Sequence, residues 1–263
     1  PNIKSDITDA HDFPGMIKKK KYDLVIFSRV FFNSGCVVTN WQEIVLAAGD
    51  ETIVCMDDYH GFMAVPIDLS GCAGRIFYLA GGYKYAQGGE GACFMHVPKN
   101  KKLRPFYTGW FADFAHLEST QNKITYAEDA MGMAGATMDF TAMYRLEATL
   151  ALFKNENISV QMSHQYVQNL QKYFLKNTKL KNYVGDATLT DQGHFLSFEV
   201  KDSMRLVEKL KKKNIMVDAR GNVVRFGFAI YQDLSDVQKL LLNLENIYES
   251  NPCSLPDINH AIL

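Results

Sequence analysis

Short apolar runs bounded by polar turns recur through the first half of the chain and alternate with amphipathic stretches, and this alternation restricts the fold more than any other feature. Asp23–Phe32 (DLVIFSRVFF), Thr52–Met56 (TIVCM), Arg75–Ala80 and Ala92–Val97 read as strands, with Trp41–Ala48 as a helix between the first two. The pattern predicts an α/β domain whose mostly parallel sheet is buried on both faces. After a polar stretch around His116–Tyr126, helical patterns run from about Phe140 to Phe153 and from about Ser159 to Leu175. The second half changes character. Phe195–Val200 alternates apolar and polar residues, Met204–Lys212 is helical, Ile215–Val217 and Val223–Phe228 are strand-like, and Leu234–Tyr248 closes as an amphipathic helix. That succession predicts a large domain over residues 1–153 and a smaller α+β domain over 154–263.

Composition narrows the function classes. Hydrophobic residues make up 47% of the 263 and charged residues 22%, which excludes disorder and a fibrous repeat. Lys plus Arg (28) nearly cancels Asp plus Glu (29), so nothing points to a nucleic-acid track. The lysine runs Lys18–Lys21, Lys99–Lys102 and Lys211–Lys213 read as solvated surface. Apolar runs such as Ile44–Ala48 stop far short of the ~20 residues of a membrane span. The opening PNIKSDITDAHDF has neither the basic start nor the apolar stretch of a signal peptide, so the expected location is cytoplasmic unless a leader was removed. Cys36, Cys55, Cys72, Cys93 and Cys253 form an odd set without CxxC spacing, which fits reduced, mostly buried thiols. Seven scattered histidines show no zinc-ligand spacing, and no GxSxG, GxGxxG or Walker-type loop is present.

The most unusual text is Asp57-Asp58-Tyr59-His60-Gly61, then Pro66-Ile67-Asp68, then Gly81-Gly82-Tyr83-Lys84-Tyr85-Ala86-Gln87-Gly88-Gly89-Glu90-Gly91. An acid at the end of one buried strand, and a lysine at the end of another facing a glycine-rich turn, lie where open α/β sheets gather ligands. Taken singly, a lysine between tyrosines also suits a surface residue whose stem packs on the rings, and a strand-terminal Asp also suits a cap.

Taken together, D-x-x-H, P-x-D and Y-K-Y-x-x-G-x-x-G, with 27 positions from Asp57 to Lys84, resemble the pyridoxal-phosphate segment of class V aminotransferase-fold enzymes, most closely kynureninases. The resemblance continues through Gly109-Trp110-Phe111, Gly135-Ala136-Thr137, Gly193–Phe198 and Val217-Asp218-Ala219-Arg220 with Asn222-Val223-Val224-Arg225. It implies the fold type I architecture, the cofactor pyridoxal 5'-phosphate, an amino-acid substrate and a two-fold homodimer. By resemblance Lys84 forms the internal Schiff base and moves protons at the substrate α-carbon. Asp57 pairs with the pyridine nitrogen and keeps it protonated. His60 lies beside the ring, with a core histidine as the other reading. Tyr83 touches the phosphate, and Trp110 and Thr137 reach the phosphate region, partly from the neighbouring subunit; plain packing is the alternative for each. Arg225 grips the α-carboxylate, for which a planar two-pronged donor is suited, while Arg220 reads as structural.

Four departures shape the functional expectation. Several relatives carry a serine, threonine or cysteine three residues before the lysine, where this chain has Gly81. Phe32 stands where kynureninases carry a tyrosine, and a phenyl ring donates no proton, so transamination or another reaction at the α- or β-carbon is favoured over kynurenine hydrolysis. Cysteine desulfurases need a loop cysteine between the lysine and the arginine; Cys93 is the one cysteine there, inside a strand-like run, which sets that activity aside. Only 22 residues precede Asp23, where the family has its phosphate cup and half of the sheet, so the large domain is expected to lack its N-terminal part, through truncation or as a natural short form, and this chain alone is expected to bind pyridoxal phosphate poorly. The remaining alternatives are kynureninase-type hydrolysis and a non-catalytic fold relative acting as a binding protein.

Overall fold

The computed structural model describes residues 3–9, 11–99, 101, 103–118 and 125–249. Cys253, Lys102 and the middle of the polar stretch after His116 lie outside the described residues. The chain divides into two compact units, one of Pro1–Arg29, Val38–Phe62 and Ile67–Glu156, the other of Val30–Val37, Met63–Pro66 and Asn157–Leu263.

The first unit runs α1 (Phe13–Lys19), β1 (Leu24–Ser28), α2 (Trp41–Ala47), β2 (Ile53–Asp57), β3 (Ile76–Gly81), β4 (Cys93–His96), short 3₁₀ turns at Trp110–His116 and Ala130–Met133, and α3 (Thr141–Asn155). The sheet order is β1-β2-β3-β4; the first three strands are parallel and β4 is antiparallel to β3. Strand periodicity of two sends Val25, Phe27, Val54, Met56, Ile76, Tyr78 and Ala80 into a core completed by Ile17 of α1 and by Trp41, Ile44 and Val45 of α2.

Burial on both faces is not met throughout. On β1 the outward-pointing Leu24 and Ile26 remain 53% and 57% exposed, and β2 alternates buried and half-buried residues. The covering helices pack on one face, so apolar residues on the other face of the edge strand stay open. The thiols differ from expectation as well: Cys36, Cys55 and Cys72 are half-buried and Cys93, at the start of β4 beside Gly91, is exposed. Among the described residues, no helix is long and apolar enough to cross a membrane.

The second unit contains α4 (Val160–Asn177), β5 (Phe195–Glu199), α5 (Ser203–Lys211), β6 (Asp218–Arg220), β7 (Val223–Gly227) and α6 (Leu234–Glu249), with sheet order β5-β7-β6, all antiparallel. Ser159 caps α4 by accepting the Met162 N–H at 3.1 Å. Phe174 of α4 packs its ring on Phe198, Phe226 and Phe228 at the centre of the core. The strand expected at Ile215–Val217 falls instead on Asp218–Arg220. The backbone N–H groups of Lys213 and Ile215 both bond to the Leu210 carbonyl, so these residues form the exit from α5, and pairing begins with Asp218 opposite Arg225.

A buried histidine pair adds a pH dependence to this unit. The rings of His164 and His194 stack with centroids 5.3 Å apart, and Nδ1 of His164 lies 3.2 Å from Nε2 of His194. Burial, reinforced by His164, pushes the His194 pKa down to about 3. His194 stays neutral in the folded chain while the unfolded chain takes up a proton below about pH 6.5, so the stability it confers is complete above pH 6.5 and declines as the pH falls towards 3. Denaturant midpoints are expected to show His194→Gln losing roughly 2–3 kcal/mol less between pH 7.5 and pH 4.5 than the unsubstituted chain does. Equal losses in the two proteins would remove His194 as the cause.

Candidate functional site

Parallel pairing of β1, β2 and β3 sets their C-terminal ends side by side, with Ser28 opposite Asp57 and Asp57 opposite Leu79. A parallel sheet exposes unpaired groups and loops at that edge, which is where ligands of such sheets collect. Asp57 is the last residue of β2 and is half-buried. Its Oδ1 accepts the Tyr59 N–H at 3.0 Å and its Oδ2 accepts from Ser28 Oγ at 3.3 Å, so the carboxylate is held from both sides.

Lys84 lies three residues beyond the end of β3, half-buried, with Nζ 2.8 Å from His60 Nε2 and 5.6 Å from the centre of the Tyr83 ring. Contact with a histidine nitrogen lets the two groups share a proton. Tyr83 packs its ring 5.8 Å from that of Tyr59, and burial raises its phenol above the ordinary tyrosine range. Asp57, His60, Tyr83 and Lys84 are therefore gathered at one end of the sheet by two strand ends and the turns that follow them.

The remaining sequence-predicted residues are distributed otherwise. Trp110, 52% exposed, donates its indole N–H to Thr137 Oγ1 at 2.8 Å and stacks on Phe111 at 4.6 Å. Arg225 belongs to the second unit, on β7. Its Nη2 is ion-paired with Asp218, its Nη1 donates to the Phe32 carbonyl at 2.9 Å, and its Nε is buried without a hydrogen-bond partner. Arg220 pairs with the same Asp218 carboxylate. The Phe32 ring lies 4.2 Å from the Arg225 guanidinium carbon, so the phenyl group serves as a platform for the arginine.

Sequence reasoning missed the ion pair that underlies the site. Arg29, 2% exposed, forms a two-pronged bridge to Asp58, 0% exposed, with Nε to Oδ1 at 2.7 Å and Nη2 to Oδ2 at 3.0 Å. Tyr78 donates its hydroxyl to Asp58 Oδ2 at 2.6 Å. Burial raises the Asp58 pKa, and the arginine and the tyrosine offset part of that rise. Gly61 is required beside the pair, because a Cβ there would overlap both Asp58 Oδ1 and Arg29 Nη2. No local sequence signal marks the pair; the parallel register brings it together, since Ser28 opposite Asp57 puts the next residues, Arg29 and Asp58, at the same level.

Residues 4–240 match the family model described as aminotransferase class-V. Among curated proteins, none matches the sequence. The apo structure of cysteine desulfurase from Thermococcus onnurineus NA1 is similar at a TM-score of 0.78, with 17% identity over 92% of this chain and 63% of that one. A C-DES mutant with glycine covalently linked to its PLP cofactor is similar at a TM-score of 0.72, with 18% identity over 88% of this chain and 63% of that one. Alanine–glyoxylate aminotransferase from Nostoc sp. is similar at 0.67, with 15% identity over 92% and 66%. The shared feature at these identities is the fold, and the chain spans less than two thirds of the length of each of these structures.

Proposed function

The chain belongs to the aminotransferase class-V family, and from that membership we propose that it takes part in pyridoxal-phosphate-dependent chemistry on an amino acid, of the aminotransferase type. One observation carries the reading: the Lys84 amine stands against His60 at the sheet end where Asp57 terminates the neighbouring strand. The donor set suits the group, since pyridoxal phosphate presents an aldehyde, a basic ring nitrogen and a phosphate, and the chain offers an amine, a carboxylate and phenols. When bound, the cofactor draws electrons from the bonds at the substrate α-carbon.

The protein residues supply the rest. Lys84 would hold the cofactor through its amine and, once released by an incoming amino acid, carry a proton to and from the α-carbon. His60, 2.8 Å from Lys84 Nζ, would accept or return that proton. Asp57, fixed by Ser28 and the Tyr59 N–H, would keep a proton on the ring nitrogen. Tyr83, with Trp110 and Thr137, would bind the phosphate, and Arg225 would orient the α-carboxylate. A two-fold dimer and a cytoplasmic setting belong to the same proposal.

Phe32 favours transamination over kynurenine hydrolysis, because its ring packs against Arg225 and has no proton to donate. Incubating protein purified with its natural N-terminus with kynurenine and a set of α-keto acids tests this directly. Formation of a new amino acid from the keto acid is the expected result. Anthranilate with alanine would assign the hydrolase instead, and no product from kynurenine or from other amino donors would favour the non-catalytic relative.

A further inference from the structure

Arg225 lies on the middle strand of the second unit's sheet, and the groups that fix its side chain all belong to that unit. Antiparallel pairing sets Asp218 of β6 directly opposite it. Asp218 divides its carboxylate between two arginines: Oδ2 is ion-paired with Arg225 Nη2, and Oδ1 accepts from Arg220 Nη1 at 2.6 Å. Arg225 Nη1 donates to the Phe32 carbonyl at 2.9 Å, and the guanidinium carbon lies 4.2 Å from the centre of the Phe32 ring and 5.5 Å from that of Phe195. The protein thus accepts one hydrogen from each terminal nitrogen, and Nε is buried. One N–H on each terminal nitrogen is left over, and two such donors are what a carboxylate accepts side by side.

Resting on the reading of Arg225 as the group that orients the substrate α-carboxylate, we infer that Asp218 is a positioning residue for carboxylate recognition, which anchors Nη2 and so fixes the plane of the guanidinium. A long arginine side chain loses rotamer freedom when it grips a ligand, and a partner that fixes it beforehand removes that cost. A carboxylate beside the site also repels an anionic substrate. The Asp218 side chain is 41% exposed and that of Arg225 only 13%, so water screens the acid's charge while the arginine it holds stays enclosed, and orientation outweighs repulsion. Arg220 reduces the repulsion further: it engages the second oxygen of Asp218, and two guanidinium groups around one carboxylate leave the cluster with a positive charge in excess.

The test uses protein purified with its natural N-terminus and supplied with pyridoxal 5'-phosphate. The standard amino acids are titrated against the absorbance of the bound cofactor, and the tightest binder is then compared with its carboxamide, which has no carboxylate. Asp218→Ala is expected to raise the apparent dissociation constant of the acid roughly 10-fold and to leave that of the carboxamide unchanged. Asp218→Asn, which keeps an oxygen for Nη2 without the charge, is expected to restore most of the affinity. Unchanged or tighter binding of the acid in Asp218→Ala, or a loss shared equally by acid and carboxamide, overturns the positioning role. Arg225→Gln is expected to abolish the preference for the acid over the carboxamide; a preference that survives it overturns the reading of Arg225 itself. Uptake of no amino acid by the unsubstituted protein overturns the reading of the whole site.

Discussion

Lys84→Ala is expected to reduce turnover of any amino-acid substrate by roughly 10³-fold or more and to abolish the visible absorbance that pyridoxal phosphate acquires on binding a protein amine. Lys84→Arg should fail equally. A guanidinium keeps the positive charge but stays protonated, so it neither attacks an aldehyde nor moves a proton at the α-carbon. The pair of variants separates an amine that acts in the chemistry from a cation that only attracts the phosphate. If Lys84 merely attracted the anion, arginine would preserve binding and much of the activity. His60 gives an internal comparison, because its Nε2 lies 2.8 Å from Lys84 Nζ and it is proposed to exchange a proton with Lys84 without anchoring the cofactor; His60→Gln should slow turnover and leave the absorbance in place.

The second large effect concerns the support beneath the site. Arg29→Met is expected to destabilise the fold by about 3–5 kcal/mol, because it leaves the Asp58 carboxylate buried without its charged partner. Replacing both residues, as in Arg29→Met with Asp58→Leu, should cost much less than the sum of the single changes, since no uncompensated charge then remains. Denaturant unfolding of the two single variants and the double variant gives the coupling directly. The same series reports on the site: Asp58 follows Asp57 in the chain, and the Arg29 N–H bonds to the Asp57 carbonyl at 2.9 Å. A shift of the pair therefore displaces the carboxylate proposed to face the cofactor ring. Additive single-variant losses would show that the two side chains stabilise the fold independently.

The contrast between Lys84 and Arg29 shows what the sequence revealed and what it hid. Lys84 and Asp57 sit in local text, a strand followed by a glycine-rich turn and a strand ended by acids, so periodicity and motif together placed them at the ends of their strands. Arg29 lies inside the apolar run Asp23–Phe32, and nothing near it in the chain indicates its partner, which lies 29 residues away across a parallel register. His164 and His194 are likewise 30 residues apart and meet through packing of α4 on the segment before β5. Elements set by a strong periodic pattern, such as α4 and α6, fall close to their expected limits. α1 escaped notice because it has seven residues and places Pro14 and Gly15 in its first turn, where helix propensity is weak. The outward residues of β1 show a different limit: Leu24 and Ile26 are apolar, which predicts cover, yet composition alone does not say which element provides it.

The central claim is a covalent one, and reduction with borohydride followed by peptide mass spectrometry tests it most directly. In protein purified with its natural N-terminus and supplied with pyridoxal 5'-phosphate, the account predicts a phosphopyridoxyl group fixed on the peptide that contains Lys84, and on that peptide before any other. An unmodified Lys84, or label spread evenly over the exposed lysines, would contradict it.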